Sequence, residues 1–255
     1  MKTHVTPEVL AKILPEMKTN SGKPQFSTPL EQAEQEILLC RKNSIEITIP
    51  GDSDYPSELN DGSGPDFIEY LGNPEVLNNR TVTIVGSRAA SKYGMDLAFK
   101  LSEILAREGF CIISGGAYGI DGAAHRGAVA AKGFSGVFLG GGILKPYPDR
   151  HIPLFKEIIK LGGVVMSFVP ATFPLMPWVF LRRNRYMAQA SMATVVCEAQ
   201  IRSGSLSTAR HAMKCSKLVF STSDSPGCQI LAGAGAMVFE EVEEIVSFLH
   251  AKKTL

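Results

Sequence analysis

Five short segments carry residue types that bind phosphate, and some of those residues could also move a proton. Gly86-Ser87-Arg88 follows the apolar run Val82–Val85. A glycine there permits a tight turn, a serine hydroxyl donates to a phosphate oxygen, and an arginine pairs with one through two parallel N–H groups. Ser114-Gly115-Gly116-Ala117-Tyr118-Gly119-Ile120-Asp121 closes a second apolar run, and His125 stands four positions after Asp121, on the same helix face. These two form a conceivable acid/base pair. The simpler reading has Asp121 fixing the turn and His125 hydrogen-bonded to it, since no nucleophile stands out. Gly140-Gly141-Gly142 leads into Lys145-Pro146-Tyr147-Pro148, a charge and a stacking surface suited to a sugar–phosphate strand. Phe180-Leu181-Arg182-Arg183-Asn184-Arg185-Tyr186 places three arginines in four positions between two aromatic residues. They cannot all share one solvated helix face; a pairing of one of them with Glu198 is the structural alternative. Arg202-Ser203-Gly204-Ser205-Leu206-Ser207-Thr208 opens a helix, where free N–H groups and hydroxyls favour an anion. A serine nucleophile would need an oriented histidine base, which sequence cannot place.

The elements that must position these groups are legible in the alternation of patterns. Strands are expected at Val82–Val85, Cys111–Ser114, Gly136–Leu139, Val164–Phe168, Thr194–Cys197 and Leu218–Phe220. Helices are expected at Tyr93–Glu108, Ile120–Lys132, Ile152–Leu161, Trp178–Gln189, Leu206–Lys214 and Glu240–Ala251, with Gly109, Gly133 and Gly162 as left-handed caps. Short apolar strands alternating with amphipathic helices demand a mainly parallel sheet covered on both faces, an α/β doubly wound architecture. Loops after such strands lie at one edge of the sheet, where open α/β proteins bind ligands. Residues 1–50 read as a helical appendage and linker, with Thr28-Pro29 and Glu31 as a helix start, and residues 51–255 as the main domain. Within this frame Ile45–Ile49 and Phe67–Leu71 read as short strands.

Composition narrows the function classes. The net charge of +1 excludes a polybasic molecule, yet the charge is unevenly spread. Met1–Arg80 holds seven Lys and Arg against thirteen Asp and Glu, whereas Lys145–Lys217 holds eleven against three. The five cysteines are scattered without a Cys-x-x-Cys or Cys/His cluster, so neither a disulfide framework nor a zinc site is expected, and a reducing cytoplasm is the default. The first residues lack the apolar core of a signal peptide. The uncharged run Leu161–Leu181 contains Pro170, Pro174 and Pro177, which would break a membrane-spanning helix. Neither a Gly-x-Gly-x-x-Gly fingerprint nor a Walker loop is present, so the commonest dinucleotide and mononucleotide sites are excluded.

Taken together and in this order, the runs I-V-G-S-R, S-G-G-A-Y-G-I-D-G-A-A-H, Y-P, L-R-R-N-R-Y-M-A and E-A-x-x-x-S-G-S-L-S-T-A resemble the DNA-processing protein A (DprA/Smf) family, over roughly Asp52 to Phe239. The P-G-G-x-G-T run of the related phosphoribohydrolases is absent. The resemblance implies an extended Rossmann-like fold that binds single-stranded DNA, forms a homodimer and loads a RecA-type recombinase during natural transformation, without catalysis, cofactor or membrane. Carried over residue by residue, it implies phosphate contacts at Gly86, Ser87 and Arg88, with Gly115 and Gly116 beside them. Lys145, Arg182, Arg183 and Arg185 would line the strand's path, and Asn184, Ser203, Gly204 and Ser205 would shape the pocket. The chain departs from the pattern at Tyr118, where the family often has Arg, and at Leu144, His151, Phe168 and Leu181. The residues alone leave two other readings open: an enzyme or sensor for a small nucleotide in the same pocket, and a purely partner-docking role.

Overall fold

Strands form where β-branched and apolar residues run together for four or five positions, and they end where glycine or a polar cluster interrupts the run. In the computed structural model, which describes residues 5–15, 17 and 25–251, these are β3 (Thr81–Val85), β4 (Cys111–Ser114), β5 (Ser135–Phe138), β6 (Val164–Ser167), β7 (Ala193–Val196) and β8 (Leu218–Ser221). Two strands precede them, β1 (Glu46–Thr48) and β2 (Ile68–Gly72), and β9 (Met237–Val238) follows. All nine join one sheet in the order β1-β2-β6-β5-β4-β3-β7-β8-β9. From β6 to β9 every pairing is parallel; β2 runs antiparallel to β6, and β1 antiparallel to β2. The expected mainly parallel sheet is therefore present, with an antiparallel edge. That edge includes β1, so the segment before residue 50 contributes a strand to the shared sheet.

Strand period sends alternate residues to opposite faces. Val82 and Ile84 of β3 enter one core, built with Leu101 and Leu105 of α3 (Lys92–Arg107), Ile120 and Ala124 of α4 (Ile120–Ala130), and Ile245 and Leu249 of α9 (Val242–Ala251). Val85 enters the opposite core, with Tyr186 and Met187 of α6 (Pro177–Gln189), Leu206 and Ala209 of α7 (Ser205–Lys214), and Cys228 and Leu231 of α8 (Pro226–Gly233). A third cluster joins Phe155 and Ile158 of α5 (Ile152–Lys160) to Cys40 of α2 (Pro29–Lys42) and to Val137 and Val165. The short α1 (Pro7–Leu10) packs on α2 through Leu10, Ala33 and Ile37. The Thr28 start signal holds: its hydroxyl accepts from Glu31 N–H at 3.1 Å, and the Glu31 carboxylate accepts from Ser27 N–H at 2.8 Å.

Two of the expected left-handed caps are present, at Gly109 (φ 81°) and Gly162 (φ 87°). The third is displaced by one residue. Lys132 takes φ 54°, and Gly133 is required for space instead, since a Cβ there would lie 2.7 Å from Ala106 Cβ.

Chain order decides where a ligand can enter. From β3 the chain moves to β4, β5 and β6 on one side, then returns to β7 on the other. The loops after β3 and β7 therefore leave the same edge and turn away from each other, which opens a crevice between them.

Candidate nucleic-acid interface

The crevice is a cavity of about 570 Å³ lined by Gly86, Ser87, Arg88, Asp121, Phe180, Arg183, Asn184, Arg202, Ser203, Gly204, Ser205 and Thr208, among others. Eight of the thirteen expected contacts thus meet in one place: Gly86, Ser87, Arg88, Arg183, Asn184, Ser203, Gly204 and Ser205. The first turn is locked by its neighbours. Ser87 N–H donates to Glu198 O at 2.8 Å, and Ile120 N–H donates to Ser87 O at 3.2 Å. A Cβ at Gly86 would sit 2.4 Å from Ile120 Cγ1, so only glycine lets α4 approach this closely. Glu198, offered above as an arginine partner, instead accepts from Ser91 N–H and from the Ser91 hydroxyl at 2.6 Å, at the start of α3.

Arg183 forms the floor. It is 4% exposed, its Nη1 donates to Phe138 O at 3.1 Å, and its Nε finds no hydrogen-bond acceptor. Its guanidinium lies directly on Gly115, where a Cβ would fall 1.3 Å from Nη1. Gly115 therefore acts by giving this cation room. Burial, with a smaller contribution from Arg88, lowers the Arg183 pKa to about 10, against the attraction of Asp121. Asp121 accepts from the N–H groups of Gly115 at 3.2 Å and Ala117 at 3.4 Å, and burial raises its pKa even though Arg183 and those bonds oppose the shift. Asp121 thus fixes the turn as expected, but His125 does not bond it. The His125 Nδ1 meets the Ser135 hydroxyl at 2.8 Å, and that hydroxyl donates to Ile112 O. Ser135 has therefore spent its proton, so His125 must carry its own on Nδ1. Burial lowers the His125 pKa to about 3, which keeps the ring neutral.

Phe180 is the wall that both guanidinium groups face, with Arg88 Cζ 5.2 Å and Arg183 Cζ 5.7 Å from the ring centroid. Gly140 makes this possible, because a Cβ there would stand 2.2 Å from the ring. The opposite rim is the start of α7. The Ser203 and Ser205 hydroxyls bond each other at 2.7 Å, and Asn184 Nδ2 donates to Gly204 O at 3.1 Å. Thr208, the last residue of the hydroxyl-rich run that opens α7, also lines the cavity. Its hydroxyl is buried without a partner.

Of the other five expected contacts, Gly115 lies beneath Arg183 and four lie elsewhere. Gly116 turns the chain at φ 69° and packs on Phe155, while its carbonyl meets His151 Nδ1 at 2.9 Å. Lys145 is exposed on the loop after β5, outside the cavity. Arg182 lies over Trp178 and donates to the Tyr186 hydroxyl at 3.0 Å. Arg185 donates to Ser63 O at 2.9 Å. The three arginines therefore point three ways, and only Arg183 enters the cavity. Beside Lys145, Tyr118 and Tyr147 stand 39% and 41% exposed with ring centroids 6.3 Å apart, and His151 supports Tyr118 at 5.3 Å.

A doubly wound sheet with a cationic, hydroxyl-rimmed crevice at its switch point defines a Rossmann-like protein with a site whose chemistry suits an anion. The chain belongs to the DNA recombination-mediator protein A family, whose model matches residues 46–250. Protein Smf of Escherichia coli (strain K12) is 38% identical over 247 residues, covering 89% of this chain and 65% of that protein. DNA processing protein DprA of Bacillus subtilis (strain 168) is 32% identical over 213 residues, covering 77% of this chain and 71% of that protein. The crystallographic structure of DprA from Streptococcus pneumoniae superposes with a TM-score of 0.73 at 28% identity, over 88% of this chain and 83% of that one. The chain spans between 45% and 65% of the length of the Smf and DprA relatives from E. coli and Mycobacterium tuberculosis. No helix among the described residues is long and apolar enough to cross a membrane.

Proposed function

We propose that this chain binds single-stranded DNA along the carboxyl edge of its sheet, and that it acts, as a homodimer, as a mediator that shields incoming DNA and hands it to a RecA-type recombinase in natural transformation. One observation carries the binding reading. Arg183 is a buried cation at the floor of an open crevice with one N–H unused, and Arg88 stands exposed at its mouth. A phosphate in the crevice would be drawn by the charge of the first group and be held by the second. The paired tyrosines and Lys145 continue this edge as a surface on which bases stack and the backbone is tracked. A fold-level parallel supports the reading: DNA processing protein A from Helicobacter pylori, whose structure concerns its single-stranded DNA binding mode, superposes with a TM-score of 0.73. Catalysis is not part of the proposal, since Asp121 is spent on backbone N–H groups and His125 on Ser135. The assigned place is the cytoplasm.

The test is a salt titration of binding to single-stranded and duplex oligonucleotides. Roughly three to four neutralised phosphates predict a slope of about −2 to −3 in log K against log salt, or a roughly 20- to 50-fold loss between 50 and 200 mM. Binding indifferent to salt, or a preference for duplex, would refute it. The cavity volume of about 570 Å³ also suits a mononucleotide. A nucleotide that raises the melting temperature while oligonucleotides leave it unmoved would favour that second reading.

A further inference from the structure

Far from the crevice, at the antiparallel end of the sheet, three polar side chains meet in a dry pocket. Glu36 and Cys40 lie four residues apart, on one face of α2, and Glu69 points at them from the middle of β2. Glu36 is 5% exposed, Cys40 1% and Glu69 0%. One ligand atom from each can be chosen so that all three lie within 4.8 Å of one another, and Cys40 Sγ is 3.9 Å from Glu36 Oε1. Glu36 Oε1 is oriented by Ala171 N–H at 2.8 Å. Neither oxygen of Glu69 makes a hydrogen bond of ordinary length, and its near polar neighbours are the Cys40 thiol and the Glu36 carboxylate. The walls are apolar, with Ile45, Val165 and Ala171 in the same cluster as Cys40.

Such a group is a net cost to the fold unless something positive joins it. Burial raises the Glu69 pKa well above the carboxylate range, and the Glu36 charge adds to this. The Cys40 thiol is also pushed up, first by burial and then by the two carboxylates. The charges named as acting on Glu69 and Cys40 are negative. An apolar residue at position 69 would fill the space without that penalty, so the acid needs a reason to be there.

We propose that Glu36, Cys40 and Glu69 hold a thiophilic divalent cation of the zinc class, which pins α2 to the sheet. Two side chains at i and i+4 on a helix with a third from a neighbouring element give a common zinc arrangement. Zinc bonds of about 2.3 Å to sulfur and 2.0–2.2 Å to oxygen set ligand atoms roughly 3.3–3.7 Å apart. The present 3.9 Å between Cys40 Sγ and Glu36 Oε1 is close to that, and the three ligand atoms would have to draw together from within 4.8 Å of one another. As the cation binds, the thiol proton and the proton held on the buried acid pair both leave to solvent, and the two carboxylates and the thiolate around the divalent ion leave one net negative charge. The Ala171 N–H fixes the Glu36 carboxylate from behind.

The test uses the whole chain carrying Cys215→Ser, which removes the exposed thiol. After treatment with a chelator, Co²⁺ is added and the thiolate-to-metal charge-transfer band and the visible bands are followed; Zn²⁺ is then used to displace it. The expected result is uptake of one equivalent, with the charge-transfer band lost in Cys40→Ser and affinity lowered roughly a hundredfold or more in Glu69→Gln. One equivalent of Zn²⁺ should raise the melting temperature of the parent but not of Glu69→Gln. Glu69→Leu, whose apolar side chain suits the pocket, gives a second folded reference that should take up nothing. Absence of the sulfur band, equal uptake by Glu69→Leu, or an infrared carboxylic-acid band from Glu69 that persists with stoichiometric Zn²⁺ would overturn the proposal. The last result would mean that a shared proton, and not a metal, joins the two acids.

Discussion

Replacing Arg183 with methionine should destroy DNA binding while leaving the free protein as stable as before or slightly more stable. Burial moves the Arg183 pKa from 12.5 to about 10, so holding the charge costs about 3 kcal/mol relative to solvent. The sign is unambiguous at pH 7. Both folded and unfolded states are protonated there, so the full penalty is present, and it fades only as pH rises from about 10 towards 12.5. Methionine fills a similar volume without the charge. Against the gain stand a lost bond to Phe138 O, about 1 kcal/mol, and lost contacts with Phe180, about 1 kcal/mol more, the attraction of Asp121 being already contained in the shifted pKa. The balance is a stabilisation of about 1 kcal/mol, or about 2–4 °C in Tm for a chain of this size. The assay pairs thermal unfolding of the free protein with oligonucleotide binding at two salt concentrations. A variant that lost several kcal/mol of stability would show that Arg183 is a structural cation, held by the fold for the fold. A variant that still bound DNA normally would remove it from the site. Either result refutes the reasoning.

Other expectations follow from the same geometry. Arg88→Ala should weaken binding to all sequences alike and reduce the salt slope by about 0.7, as measured by fluorescence anisotropy across a salt series. Tyr118→Ala and Tyr147→Ala should each cost about 1–3 kcal/mol of binding with the salt slope unchanged, which separates stacking from charge. Gly115→Ala drives a Cβ into the Arg183 guanidinium, so its effect on binding should be large alone and nearly absent in the Arg183→Met background; simple additivity in that double-mutant cycle would count against the contact. His125 is held neutral with a pKa near 3, below its ordinary 6.5, so the stability it contributes is full above pH 6.5 and is lost as pH falls towards 3. Urea unfolding at a series of pH values should show part of that acid limb, up to about 4–5 kcal/mol, missing in His125→Gln.

What the chain discloses in one dimension depends on whether local pattern or three-dimensional closure decides the matter. The parallel strands were legible because each is a buried run of β-branched residues stopped by glycine, and every strand from β3 to β8 falls within one residue or so of its expected place. α8 was not legible. Its sequence, Pro-Gly-Cys-Gln-Ile-Leu-Ala-Gly, reads as a loop by propensity, yet Gly227 is needed there because a Cβ would lie 2.6 Å from Ala199 O. Tertiary packing overrode local preference. Glu69 was missed for the same reason. An acid between Ile68 and Tyr70 looks like the solvent side of an edge strand, and only the docking of α2 covers it.

The arginine triplet shows the limit most clearly, and it also explains how a chain with net charge +1 makes an anion site. At 100° per residue, positions 182, 183 and 185 must face different ways, and that much is dictated by helix geometry. Which one enters the crevice is decided by Gly115 and Gly140, in the loops after β4 and β5, which vacate the space for a guanidinium and for the Phe180 ring. Arg182 and Arg185 are taken up by Tyr186 and by Ser63 O. The site therefore depends little on the number of positive charges. On the proposed reading it depends on desolvating one of them, since a buried cation attracts an anion more strongly than a solvated one. This argument also says which neutral changes matter most. A methyl group added at Gly115 should harm binding more than deletion of the charge at Arg185, and a direct comparison of Gly115→Ala with Arg185→Ala in the same binding assay decides between a site built by shape and one built by charge count.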